Sequence, residues 1–355
     1  MWAFDRALRI GRLALLNLPS FKASAKYNAE ADVIRVEVPV RSGIRPRPGT
    51  YYFVYTMNGL KFWESHPFTL SSWNLGPTSA TTQASADTGA STRTLSFIIR
   101  PYDSFTKRLR NSILSKQHAE NGASNSDTPI RMVVEGPYGS QHDLRHYNSA
   151  LLVVGGMGIT VALGHLHALN EALNKNEPVP LTRVHLVWAV RDVALFRDVY
   201  EHELAPWLSS SRLAGEIELR VDIYVTQNSE KMALPEMAAP LKTSEDDSAG
   251  TKITNAEISL KQEDNSQTSS VTGDDAPSTV PTSFSIPSNV TIFKNRPFVH
   301  DVVLESAQSG CSGGQKLAVV CCGPGSMADD TRAAVVRALA HGHDGLDFYP
   351  ESFNW

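Results

Sequence analysis

The stretch from Ala150 to Leu169, ALLVVGGMGITVALGHLHAL, decides the fold. Its length would suit a membrane span, but Gly155, Gly156, Gly158 and Gly164 break it and two histidines sit within it. It reads instead as a buried strand, a glycine turn and a helix running to Ala172. Glycines at such a turn let it be tight and let backbone amides approach a pyrophosphate at the positive end of the helix. Strand-to-helix glycine turns also occur without a ligand. The third glycine of the usual dinucleotide fingerprint is missing, and Val161 stands in that region.

Downstream the same texture repeats: RVHLVWAV with a helix through Leu204, then ELRVDIYVT, then KLAVVCCG before TRAAVVRALA. Continuous Val/Leu runs alternating with amphipathic helices predict a doubly wound parallel α/β sheet. Between Thr226 and Val290 the pattern gives way to Ser, Thr, Asp, Glu, Pro and Lys, with Phe284 the single aromatic. Such a segment cannot bury enough apolar surface to offset its ordering entropy, so a disordered insertion is expected at about 227–289. Upstream, ADVIRVEVPV alternates Ile34, Val36 and Val38 against Arg35 and Glu37, and YYFVYTM, TLSFIIRPY and IRMVVEGPYG follow as short apolar runs. They predict a small antiparallel β-barrel. GPTSATTQASADTGASTR and KQHAENGASNSDTP read as loops inserted between its strands. The expected organisation is an N-terminal helix over 1–25, a barrel over 26–147 and an α/β domain over 148–355.

A chain of 355 residues, 41% of them hydrophobic, is long enough for two cores. A net charge of -4 gives no electrostatic reason to expect nucleic acid. Three cysteines, with Cys321 and Cys322 adjacent, make neither a disulfide framework nor a metal site, and a reducing compartment is the default. The start, MWAFDRALRIGRLALLNL, has no signal-peptide core; it gathers Arg6, Arg9 and Arg12 on one side of a helix. Such a helix lies on a membrane surface or packs on its own domain, and the pattern leaves both open.

A second glycine turn, CCGPGSM, ends the strand KLAVV, with the next helix expected to start at Asp329 and Asp330. Ligands of open α/β sheets sit outside the carboxyl ends of the strands, so both turns would border one crevice with Cys322 facing it. Cys322 reads equally as a small buried hydrophobe. Arg191, just past HLVWAV, could bind a ribose 2′-phosphate and favour NADPH, or pair with Asp192 in solvent. EGPYG, Glu135 to Gly139, fixes a rigid turn that leaves an aromatic ring near the domain junction. In HPFTLSSW, Phe68 offers a face for an isoalloxazine ring, Thr69 and Ser72 can hydrogen-bond it, and His66 can contact the cofactor's polar edge. A strand with an aromatic core contact is the plainer reading.

These five motifs, in this order, resemble the flavin-dependent reductase module of the ferric-chelate reductases and NADPH oxidases, within the wider ferredoxin-reductase-like group. HPFTLSS is similar to that family's flavin signature and RPGTYYFVY to its barrel strand; KNRPF and CCGPGSM resemble its nucleotide half, and FYPESFNW the ending of fungal ferric reductases. The resemblance implies that His66, Pro67, Phe68, Thr69 and Ser71, with Arg100, Thr106, Gly136 and Tyr138, bind FAD. It implies that Gly155, Gly156, Gly158, Ile159 and Thr160 cradle the NADPH pyrophosphate, with Arg191 and Arg296 near the adenosine phosphate and Gly323 and Pro324 beside the nicotinamide. Cys322, Ser71 or Ser72, and Glu351 would shape the catalytic pocket, and Phe353 or Trp355 would shield the flavin. The family's Gly-x-Thr turn reads Ser104-Phe105-Thr106 here, and Asn295 stands where glycine is usual before Arg296.

The activity implied is that of an NADPH-dependent FAD oxidoreductase, of ferric-chelate reductase type, working at the cytosolic face of a membrane or in the cytoplasm. The family's haem domain lies upstream of the segment that WAFDRALRIGR resembles, so the expected acceptor is a ferric chelate or a haem-containing membrane domain. Two alternatives are a cofactor-binding regulator of a full-length reductase without turnover of its own, and a superoxide-producing oxidase that differs only in its final acceptor.

Overall fold

The computed structural model describes residues 22–40, 44–57, 63–75, 93–119, 127–210, 212–226, 252–253 and 287–351, with Phe4, Leu8, Gly11, Leu13 and Asn17. The first half is an antiparallel sheet of β1 (Lys22–Asn28), β2 (Val33–Pro39), β3 (Tyr51–Thr56), β4 (Ser65–Thr69), β5 (Ser72–Asn74), β6 (Thr94–Ile99) and β7 (Thr128–Tyr138), with helix α1 (Ser104–Ala119) before β7. Period-two alternation builds it: Ile34, Val36 and Val38 point into a core with Tyr52, Val54, Leu95 and Phe97, all essentially buried. β1 begins inside the segment read from sequence as N-terminal helix, because Ala23, Ala25 and Tyr27 supply a small inward row among polar residues. The stretch beginning Lys116, expected as a loop, is the last turn of α1 up to Ala119.

The sheet order is β4-β3-β7-β1-β2-β6-β5, so its two edges are strands consecutive in sequence. Only Leu70 and Ser71 lie between them. The Leu70 amide donates to Thr50 O at 3.0 Å on one side and the Ser71 amide to Ser96 O at 3.1 Å on the other. Two residues thus stitch edge to edge, and the sheet curls into a barrel with little exposed edge. Where β7 outruns its pairing with β1, buried Asn17 takes over: its side chain donates to Val134 O and accepts from Val134 N, both at 2.9 Å. The remainder of the N-terminal helix lies outside the described residues, and no described helix is long and apolar enough to cross a membrane.

The second half is a sheet in the order β11-β12-β10-β9-β8-β13-β14. Its parallel strands are β8 (Ser149–Gly155), β9 (Arg183–Val190), β10 (Glu218–Val225), β12 (Val290–Phe293), β13 (Leu317–Cys322) and β14 (Leu346–Pro350); β11 (Lys252–Ile253) pairs antiparallel with β12. The helices are α2 (Ile159–Asn174), α3 (Val193–Val199), α4 (Ala205–Ser210), α5 (Arg212–Glu216), α6 (Val299–Gly310) and α7 (Gly325–Ala340), and a π-helical turn, Tyr200–Leu204, continues α3. α7 starts at Gly325, earlier than the sequence suggested, with Pro324 at its N-cap. Apolar clusters cover both faces of the sheet, as continuous Val/Leu strands require. The insertion expected at about 227–289 lies outside the described residues, apart from β11 and residues 287–289.

The halves are clamped together. Arg35 on β2 reaches Asp198 at 2.7 Å and Glu203 at 3.1 Å, and Asn28 also bonds Asp198. Asp198 is 4% exposed, so deleting Arg35 would strand a buried carboxylate at a cost of about 3–5 kcal/mol. Trp73 donates its indole N–H to Glu171 on α2 at 2.9 Å, and a Cβ on Gly164 of α2 would come within 3.0 Å of Leu70 O. α2 therefore lies directly on the stitch that closes the barrel.

Candidate cofactor crevice and barrel wall

β8 and β13 are neighbours whose chains leave in opposite directions through the sheet, which makes their carboxyl ends the topological switch point. Both glycine turns meet there. A Cβ on Gly155 would lie 2.8 Å from Pro324 Cδ, and one on Gly158 would overlap the Cys322 carbonyl oxygen. Side chains are excluded at both positions, by the Pro324 ring at the first and by the Cys322 backbone at the second. Gly156 differs: its φ of +54° favours glycine, yet a Cβ there would meet nothing within 4 Å. Its outer side is open, and the N-cap of α2 at Gly158 carries no side-chain cap. Open space over a glycine turn at an uncapped helix N-terminus fits a pyrophosphate.

Other residues of the turn hold it. Thr160, 5% exposed, donates its hydroxyl to Met157 O at 3.0 Å, and Ile159 is fully buried with its amide on Gly156 O and Met157 O. Trp188 on β9, which the sequence reading missed, donates its indole N–H to Gly156 O at 3.0 Å. Cys322 is 6% exposed and burial pushes its thiol up to about 12, so the thiol stays protonated at neutral pH. Glu351, just past β14, donates its amide to Cys321 O at 2.8 Å. Its carboxyl is 8% exposed, Oε1 has no hydrogen-bond partner, and burial pushes it up to about 7. Arg191 and Arg296 are exposed with no ion-pair partner among the described residues. Asp192 instead caps α3 and accepts from Arg100 at 3.2 Å, which places Arg100 in an interdomain ion pair. Phe353 and Trp355 lie outside the described residues.

On the barrel, β3 pairs with β4 so that Tyr51 faces Thr69 and Phe53 faces Pro67, while Tyr52 faces Phe68 and Val54 faces His66. Side chains alternate across the sheet, so these are two distinct faces. On the first, Tyr51, Phe53 and Tyr138 form an aromatic wall with centroids 5.5 to 5.9 Å apart. Glu135, fully buried, anchors it by accepting from Tyr138 at 2.6 Å and Tyr55 at 2.7 Å. The bulge in β7 that aims Tyr138 contains Gly136, where a Cβ would fall 2.5 Å from the Tyr52 ring. Alternation in YYFVY carried the signal for this wall. Ser71 is buried and donates to Ser96 O at 2.8 Å, whereas Ser72 and Thr69 are half-buried.

The second face is filled from within. His66 stacks on Phe105 at 4.5 Å, Phe68 lies 6.3 Å from the same ring, and His66 Nδ1 is 3.1 Å from Asp103 Oδ2. Asp103 Oδ1 accepts from the Thr106 amide at 2.7 Å and its hydroxyl at 2.6 Å, and that hydroxyl accepts from the amides of Tyr102 and Asp103. Hydrogen bonds from Thr106 and the neighbouring His66, outweighing the effect of burial, hold the Asp103 carboxyl below its usual range. The barrel thus offers an aromatic wall of mutually tilted rings against which a flavin could rest, but the N-terminus of α1 is closed by its own carboxylate and does not fit a pyrophosphate.

A closed antiparallel barrel docked on a parallel sheet with paired glycine turns at its switch point defines the two-domain, flavin- and nicotinamide-dependent oxidoreductases. The chain belongs to the ferric reductase family: residues 147–336 match its NAD binding domain, described as "Ferric reductase NAD binding domain", and residues 18–142 match an FAD-binding domain. It is similar to ferric reductase transmembrane component 4 of Saccharomyces cerevisiae, 27% identical over 99% of this chain and 43% of that protein. Ferric/cupric reductase transmembrane component 2 of the same yeast is 26% identical over 100% of this chain and 42% of that protein. The chain therefore spans about two fifths of the length of these curated relatives. A ferredoxin NADP+ reductase from Neisseria gonorrhoeae superposes with a TM-score of 0.47 at 9% identity, covering 94% of this chain and 99% of that one.

Proposed function

We propose that this chain is the electron-input module of a ferric reductase, taking two electrons from NADPH and handing them on singly to a ferric chelate or a haem-containing membrane domain. The observation that carries the reading is the switch-point crevice, where an open glycine turn at an uncapped helix N-terminus adjoins Cys322 and Glu351 beside the barrel. When bound, FAD supplies the conversion from two-electron to one-electron transfer.

The chain's own residues bind, orient and exclude water. Tyr51, Phe53 and Tyr138 give the flavin ring a wall, with Pro67, Thr69 and Ser72 along its edge. Gly155, Gly156 and Gly158 receive the nucleotide pyrophosphate, Gly323 and Pro324 border the nicotinamide, and neutral Cys322 closes the floor. The exposed guanidinium groups of Arg191 and Arg296 favour NADPH over NADH. The basic pattern of Arg6, Arg9 and Arg12 in the N-terminal sequence supports work at the cytosolic face of a membrane. An anaerobic titration of the FAD-loaded chain with NADPH tests the proposal: bleaching of the flavin absorbance is expected, and retention of FAD without bleaching would overturn it. A regulator without turnover is the second reading, favoured by the closed N-terminus of α1, and the same bleaching would exclude it.

A further inference from the structure

Trp188 is wholly buried on β9, where the strand register sets it beside Val154 of β8, just below the first glycine turn. Phe196 on α3 meets its ring edge-on, with centroids 6.3 Å apart, and its indole N–H donates to Gly156 O at 3.0 Å. The Ile159 amide donates to the same oxygen. Two donors thus occupy the two lone pairs of one carbonyl. That carbonyl belongs to the Gly156–Met157 peptide, which is planar and trans, so its N–H lies opposite its C=O. With the oxygen drawn inward onto a buried indole, the Met157 amide is turned away from the core, toward the open outer side of the turn.

We infer that Trp188 is a positioning residue for the nucleotide pyrophosphate: by holding Gly156 O inward, it presents the Met157 amide as a donor to that anion. The inference rests on the reductase reading above. A glycine turn needs such a clamp. Gly156 has no Cβ to penalise a second orientation of the peptide that follows it, and its φ of +54° already lies where other residues are strained. A flipped peptide would aim a carbonyl dipole at the phosphates and an N–H at the core. Trp188 disfavours that state, because an indole nitrogen donates and does not accept, so the flip would set N–H against N–H in a buried site. A tyrosine or histidine would accept from the flipped peptide as readily as it donates to this one. Phenylalanine or leucine would fill the space and select neither.

The rest of the turn fixes other peptides more firmly than this one. The Thr160 hydroxyl donates to Met157 O, which orients the next peptide along. The Ile159 amide is shared between Gly156 O and Met157 O, whereas the indole gives its N–H to Gly156 O. Gly158 is pressed against the Cys322 backbone, and as N-cap of α2 it supplies no side-chain acceptor. The direction of the first peptide therefore depends on a ring contributed by the neighbouring strand.

The experiment removes the N–H and keeps the ring. Trp188 is replaced by 3-benzothienylalanine, whose sulfur stands where the indole carries its N–H; Trp188→Phe serves, with the same expected result, if that chain does not fold. Two ligands are titrated by calorimetry into the FAD-loaded chain: NADP+, which carries the pyrophosphate, and adenosine 2′-phosphate, which does not. The isostere should weaken NADP+ binding about tenfold, as expected for one charge-assisted hydrogen bond, and leave adenosine 2′-phosphate unchanged. A second readout needs no turnover. In the chain labelled with 15N at its 7 methionines, the Met157 amide signal, assigned by its loss in Met157→Leu, should move downfield as NADP+ is added, and move less in the isostere. Equal weakening of both ligands would reduce Trp188 to a structural part and overturn the inference. So would unweakened NADP+ binding, or a Met157 signal that bound NADP+ leaves in place. If the wild-type chain binds neither ligand, the nucleotide reading itself fails.

Discussion

The N-termini of α2 and α1 each follow a strand and differ in chemistry. At α2 the turn is all backbone, with glycines pressed against Cys322 and Pro324 and one open side at Gly156. At α1 the family's glycine position is filled, and Asp103 and Thr106 cap each other so fully that an acid occupies the positive helix end. The first terminus is prepared for an anion from outside. The second carries its own. The comparison teaches that helix polarity alone does not make an anion site; the absence of a local side-chain acceptor does.

Four substitutions break or sharpen this contrast. Gly158→Ala has the largest expected effect, because its Cβ would displace the Cys322 backbone: stability in urea should fall by about 3 kcal/mol and NADP+ binding by calorimetry should be lost. Glu351→Gln comes next, through pH. With its folded pKa raised to about 7, the native state holds a proton that the unfolded chain releases near 4.5, so Glu351 makes wild-type stability decline by about 3 kcal/mol as pH rises between those values. The glutamine variant should lose that component of the decline, and an unchanged pH profile would show that the carboxyl is solvated. Gly156→Ala meets no neighbour and should cost only about 1–2 kcal/mol from its positive φ, leaving NADP+ affinity reduced but measurable. Asp103→Asn keeps a good cap while removing its charge: stability should stay within about 0.5 kcal/mol, and FAD affinity, read by fluorescence quenching, should rise about threefold. Equal affinity would mean that the FAD pyrophosphate lies away from α1.

Much of the nucleotide half was legible because its signals are local in sequence. Continuous Val/Leu strands, glycines at strand ends and prolines after them have few other uses, and they announced the sheet and its switch point. The barrel was harder. β1 hides its inward row in two alanines and a tyrosine, and the closure at Leu70–Ser71 rests on amides that leave no mark on side-chain composition. HPFTLSSW was read as a flavin clasp, yet its residues divide across two faces: His66 and Phe68 turn to Phe105, Pro67 and Thr69 to the aromatic wall, and Trp73 to Glu171. Short stretches do not reveal such a division until the strand register is known. Trp188 went unnoticed because it acts through a partner distant in sequence.

The two-residue stitch has a further consequence, for folding. The amides that close the barrel belong to residues whose carbonyls face Gly164, and the next tryptophan holds α2 by its indole. Barrel closure and domain docking are therefore one event rather than two. A barrel expressed alone would leave this seam without its covering helix, and the intact chain should melt in a single cooperative transition, its two domains sharing one fate.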